Sequence, residues 1–203
     1  MAAKRRVVIF LEDSAQEAII PSLFMRLAVE EGFSKDQLDI DILAARGGNS
    51  LGEFRQFIKD ARRKRSPLQA DLLIVGSDAN CKGFAERRDS ILKAATQSSY
   101  QEIVTAIPDP HVERWYLLDT KAFTFAVGSQ MVVAPPDYKC EKNHYKTLLL
   151  KAFVDNDISP PLGGIEYGPA IAEKMDLYAA AKQDHGLADF VEQSKSWLKR
   201  FLI

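Results

Sequence analysis

Four short apolar runs, each ending in polar residues before an amphipathic stretch, limit what this 203-residue chain can become. The first, "VVIFL" (7–11), has three β-branched residues among five and stops on Glu12 and Asp13. Such a run, without polar alternation, reads as a strand buried on both faces. "LDIDILAA" (38–45), "DLLIVGSDAN" (71–80) and "EIVTAI" (102–107) read as the second, third and fourth strands. Helical patterns separate them. Ile20, Leu23, Phe24 and Leu27 keep i, i+3, i+4, i+7 spacing, and the helix they mark ends near Gly32. Ser14 and Glu17 offer a capping box, while Pro21 either kinks this helix or falls in its first turn. Leu51, Phe54, Phe57, Ile58 and Ala61 mark a second helix, and a third covers 84–97. This βαβαβαβ order predicts an α/β fold, a mostly parallel open sheet flanked by helices.

After residue 120 the pattern changes. "VGSQMVVAPPDYKCEKN" (127–143) reads as a short strand or turn, a helix covers 142–154, and "DISPPLGG" (157–164) is a loop. Two helices, 169–183 and 187–201, part at His185-Gly186. The expected organisation is an α/β core over 1–125 and a mostly helical C-terminal extension over 126–203, packed on that core.

Composition excludes several classes. With 46% hydrophobic and 27% charged residues the chain suits a globular fold, and a net charge of −1 argues against a generic polyanion binder. "MAAKRRVVIFLEDS" imitates a secretory leader, but its apolar run stops too soon. No stretch approaches the ~20 apolar residues that span a bilayer. Two cysteines, Cys81 and Cys140, make neither a disulfide framework nor a zinc motif. The expectation is a cytoplasmic protein without membrane association.

Parallel strands place their C-terminal ends along one edge, which is where open α/β sheets bind ligands. Glu12 ends the first strand, Asp78 and Asn80 the third, and Asp109 and Glu113 follow the fourth. Two carboxylates ~4 Å apart repel by about 4 kcal/mol at an effective dielectric of 20. They must take protons, spread apart, or bind a cation. Magnesium or manganese suits such oxygen donors and supports chemistry at phosphates. Each acid also has an ordinary reading: Asp13 and Glu17 as helix caps, Asp109 as a turn former.

The arrangement resembles a TOPRIM domain over residues 7–120: Glu after the first strand, "ARGGNS" after the second, a D-x-D-like turn after the third. "SDANCKGF" and "IPDPHVERWYLLD" are similar to segments of small stand-alone TOPRIM-like proteins, relatives of OLD-family nucleases. The resemblance implies a magnesium-dependent nuclease. In it, Glu12 is the general acid/base or a metal ligand, and Asp78 holds metal. It further implies a role in bacterial antiphage defence, beside a co-encoded ABC- or SMC-like ATPase. Asn80 replaces the family's second acid, which lowers the expected metal affinity, and Glu113 is the candidate for the missing charge.

Cations form a second group. Arg62, Arg63, Lys64 and Arg65 crowd the end of one helix, where they either favour its C-terminus or bind DNA or RNA phosphates. Lys82, Arg87 and Arg88 follow Asp78 and are better placed for a scissile phosphate, with Lys82 the catalytic candidate. His111, beside the acids, is a ligand, a proton shuttle, or a turn residue bonded to backbone. His144 and His185 read as surface residues, and Trp115 and Tyr116 as packing for a short helix from His111. Cys81 reads as filler after the third strand.

Two other functions fit the pattern. One is a receiver-like phosphoacceptor, since "FLEDS" resembles a receiver's acidic pocket. Against it, about 65 residues separate the two acidic strand ends, and Pro108-Asp109 stands where a lysine is expected. The other is a non-catalytic TOPRIM-fold interaction subunit that keeps the fold while Asn80 disables the metal site. A homo-oligomer is a candidate partner state under any of these readings.

Overall fold

The computed structural model describes residues 4–47, 49–63, 70–96, 98–128 and 136–201. Four parallel strands form an open sheet: β1 (Arg5–Leu11), β2 (Leu38–Ala44), β3 (Leu72–Gly76) and β4 (Ile103–Ala106). Their order is β2-β1-β3-β4. Val7 and Val8 pair with Leu72 and Leu73 on one side and with Ile40 and Asp41 on the other, so β1 is central. The expected class, a parallel open sheet flanked by helices, is what the chain adopts.

Side-chain alternation along β1 feeds two cores. Val7, Ile9 and Leu11 face helix α1 (Ser14–Glu30), whereas Val8 and Phe10 face α2 (Ser50–Arg63) and α3 (Phe84–Ala95). All five are buried, as their unbroken apolar run requires. Helix α1 continues through Pro21 without stopping. Ile19, Ile20, Leu23 and Phe24 on it are wholly inaccessible, each contributing about 1.5–3 kcal/mol of burial. That anchorage fixes the first turn of α1 at the sheet's C-terminal edge.

The fourth strand leads into α4 (Glu113–Leu117) and α5 (Thr120–Val127), then α6 (His144–Val154), α7 (Gly168–Lys174), α8 (Leu177–Ala181) and α9 (His185–Lys199). Helices α7 and α9 pack on α1, and α9 also packs on β4. Trp115, Phe153, Phe190 and Trp197 therefore belong to the same core as α1. The 169–183 stretch is two helices rather than one. Met175 leaves helical geometry, its carbonyl and that of Ala172 accept from the Arg26 guanidinium, and Asp176 caps α8. Residues 120–127 are helical where the sequence offered no clear element, with Asp119 capping α5 through Lys121 and Ala122 amides. No helix among the described residues is long and apolar enough to cross a membrane.

Candidate functional site

In a 2-1-3-4 sheet the chain leaves β1 toward β2 on one side and returns as β3 on the other. The crevice between β1 and β3 is thus the topological switch point. Glu12 and Asp78 stand at its two lips. The turn after β3 is zipped to the turn after β4: Ser77 N donates to Ala106 O (3.1 Å), Ala79 N to Pro108 O (2.9 Å) and Asn80 N to Pro110 O (3.0 Å). Asn80 and Cys81 both take positive φ, 49° and 63°, a backbone region sparsely used by residues with a Cβ.

Across the crevice the acids are joined by donors. Glu12 Oε2 accepts from the Ser77 hydroxyl (2.7 Å) and from the Asp78 amide (2.9 Å). Gln16, completely buried, accepts from Glu12 N at 3.0 Å and donates through Nε2 to Asp78 Oδ1 at 2.7 Å. Gly76 makes room for it: a Cβ there would meet Gln16 Oε1 at 2.8 Å. Asp13 caps α1, accepting from Gln16 N at 2.9 Å. The Tyr116 hydroxyl donates to Ala15 O (2.7 Å), tying α4 to the first turn of α1.

Four carboxylates share this edge: Glu12, Asp13, Asp78 and Glu113. Asp78, only 6% exposed, has its pKa pushed well up by burial first, then by the charges of Asp13 and Glu12, with Glu113 adding less. Burial likewise raises Asp13, with Glu12 adding to it. Glu113 is raised by burial and Asp13, while His111 and Lys146 pull it down. Lys146, on α6, is the lysine that attracts both Asp13 and Glu113. An edge of this kind favours protonation or a cation over four free charges.

The remaining candidates stand as follows. Asn80 turns its side-chain amide back to the Asp78 carbonyl (3.3 Å), and Asp109 accepts from the Tyr138 hydroxyl (3.2 Å). Lys82 is exposed and lies 4.0 Å from Glu86. Arg87 and Arg88 sit on α3, each with a buried Nε that has no hydrogen-bond partner among the described residues. Arg62 is exposed on the last turn of α2; the Arg63 side chain, Lys64 and Arg65 lie outside the described residues. Among the described residues no three His, Cys, Asp or Glu side chains form a group able to hold a metal ion. The donor chemistry of Glu12, Asp13, Asp78 and Glu113 nonetheless fits a hard cation, since Glu12 Oε1 and Asp78 Oδ2 lie outside the hydrogen bonds described above.

Sequence reasoning missed three parts of this edge. Gln16 was legible in principle, as a polar residue on the apolar stripe of Ile19, Ile20 and Leu23. Lys146 gave no signal, because tertiary packing alone brings α6 here. The third is a disulfide: Cys81 and Cys140 are bonded, with Cα atoms 5.7 Å apart. Family models, curated proteins and solved structures all return no match to this chain.

Proposed function

We propose that the chain is a magnesium- or manganese-dependent nuclease of TOPRIM type, cleaving phosphodiester bonds in DNA or RNA. The observation that carries this reading is the junction of Glu12 and Asp78 across the β1/β3 switch point, joined by Gln16 and the Asp78 amide. Glu12 and Asp78, with Asp13 or Glu113, would hold the metal. Bound there, it would supply Lewis-acid stabilisation of phosphate charge. The chain's own residues do the rest. Glu12, held by Ser77, orients a water or takes its proton, work that contributes about 10²–10⁴-fold in rate. Gln16 keeps Asp78 in place, and Lys146 offsets the surplus negative charge. Arg62 and its neighbours, with Arg87 and Arg88, are the candidate phosphate contacts. A cytoplasmic setting, a co-encoded ABC- or SMC-like ATPase, antiphage defence and a homo-oligomer belong to the same reading.

The test compares wild type with Glu12→Gln on plasmid, single-stranded DNA and RNA, with magnesium or manganese and with any co-encoded ATPase. Cleavage lost while calorimetric metal binding persists supports the reading. Equal activity in the variant overturns the role of Glu12, and an inactive wild type on all substrates favours an interaction subunit. One observation favours a second reading. The 2-1-3-4 strand order matches the first four strands of flavodoxin-like folds, which include receivers. In that reading Asp78 accepts a phosphoryl group, and incubation with acetyl phosphate should label wild type but not Asp78→Asn.

A further inference from the structure

The Cys81–Cys140 bond joins two places far apart in sequence, 59 residues, at one rim of the sheet. Cys81 lies three residues beyond Asp78, in the left-handed turn that closes onto Pro110. Cys140 belongs to the segment 136–143, which runs directly into α6 and its Lys146. That segment has little regular structure of its own. The buried Tyr145 hydroxyl accepts from Lys139 N (2.7 Å) and donates to Asp137 O (2.9 Å), and the exposed Tyr138 hydroxyl donates to Asp109. The disulfide is thus the one covalent tie between this segment and the turn that carries Asp78.

Both cysteines are exposed, and lysines flank them: Lys82 beside Cys81, Lys139 and Lys142 around Cys140. Exposure lets an external thiolate reach either sulfur, and cations stabilise the thiolate that leaves. We infer that Cys81–Cys140 is a thiol–disulfide exchange site, through which a small dithiol or dithiol protein releases the 136–143 strap from the acidic edge. Its bearing on the acids rests on the function proposed above. In the exchange, a reductant thiolate attacks one sulfur, forms a mixed disulfide and expels the other cysteine as thiolate. The reductant's second thiol then closes its own disulfide and frees the first cysteine. Two electrons and two protons pass to the protein, which ends with two thiols. Reduction leaves the strap held by non-covalent contacts alone, the hydrogen bonds above and the Arg114 guanidinium over the Tyr138 ring, and it alters how α6 presents Lys146 to Asp13 and Glu113.

The experiment uses the full chain, air-oxidised and dithiothreitol-treated, with thiol alkylation read by mass spectrometry and amide hydrogen exchange read by segment. Oxidised protein should alkylate at neither cysteine and reduced protein at both. Exchange over 136–145 should quicken about tenfold or more on reduction, while that of β3 holds, because local opening is set segment by segment. Cys140→Ser, and independently Cys81→Ser, should exchange fast with or without reductant. Freely alkylated thiols in the oxidised protein, or exchange over 136–145 that ignores reduction, would overturn the inference. Manganese titration of both forms separates the two proposals: strap release without any divalent binding supports the exchange site and counts against the nuclease reading.

Discussion

Two buried aspartates, Asp78 and Asp184, show what a carboxylate does in this fold with and without a cationic partner. Asp184, 4% exposed, receives the Arg114 guanidinium and caps α9 through Leu187 N at 2.9 Å; Arg114 also donates to Gln183 O at 2.8 Å. Burial leaves its pKa raised, although its neighbours Leu187 N and Arg114 pull against that rise. Asp78 is equally deep, yet its charged neighbours are acids and push the same way as burial. Adjacent residues of α4 serve the two sites: Arg114 closes the first, and Glu113 adds to the second. Compensated charge marks a structural joint, whereas uncompensated charge marks a place that waits for a proton or a cation.

The comparison is broken most directly by removing Arg114. Arg114→Met should cost about 3–5 kcal/mol in urea unfolding, because Asp184 is left buried and unpaired. A loss under half of that range would mean the joint does not depend on charge.

Next in size is the disulfide, which belongs to the Asp78 side alone. Chain-entropy loss over a loop of this length corresponds to about 4 kcal/mol. Cys81→Ser/Cys140→Ser should therefore lower stability by about 2–4 kcal/mol relative to oxidised wild type, and hardly at all relative to reduced wild type. Equal loss against both references would mean that the serines, not the missing bond, do the damage.

The third prediction reverses sign between the two aspartates. Because the folded-state pKa of Asp78 is raised, the stability its proton contributes is fully present below the unfolded value of about 3.9. It is lost as pH rises through the folded value. Asp78→Asn keeps the acceptor for Gln16 and removes that loss. It should stabilise the protein by about 1–3 kcal/mol near pH 8, and by little near pH 4. Asp184→Asn should destabilise near pH 8, since Arg114 then lacks its counter-charge. Destabilisation by both variants there would erase the distinction.

The smallest effect sharpens it. Asn80→Asp adds a fifth acid to the edge and should strengthen divalent binding by about 1 kcal/mol, the water-like value for unit charges ~4 Å apart. Calorimetry with manganese reads it. Weaker binding would mean that the amide's contact with the Asp78 carbonyl shapes the edge more than charge does.

The sheet was legible because five-residue apolar runs such as Val7–Leu11 have few alternatives, and local periodicity marked α1 and α2. Helix breaks set by distant groups were not. The division between α7 and α8 depends on Arg26 reaching the carbonyls of Ala172 and Met175, roughly 150 residues away. Glu12 and Asp78 were visible as strand ends. Their link through Gln16, the approach of Lys146 and the pairing of Cys81 with Cys140 all arise from contacts between segments, which carry no local pattern.

Gln16 also gives the acidic edge a handedness. A backbone N–H can only donate, so the Glu12 amide fixes Oε1 of Gln16 toward itself and turns the NH₂ toward Asp78. Oδ1 of Asp78 is thereby committed as an acceptor. Whenever Asp78 is protonated, the hydrogen resides on Oδ2, so the carboxyl is a one-sided acid whose single donor direction is chosen by the neutral amide of Gln16.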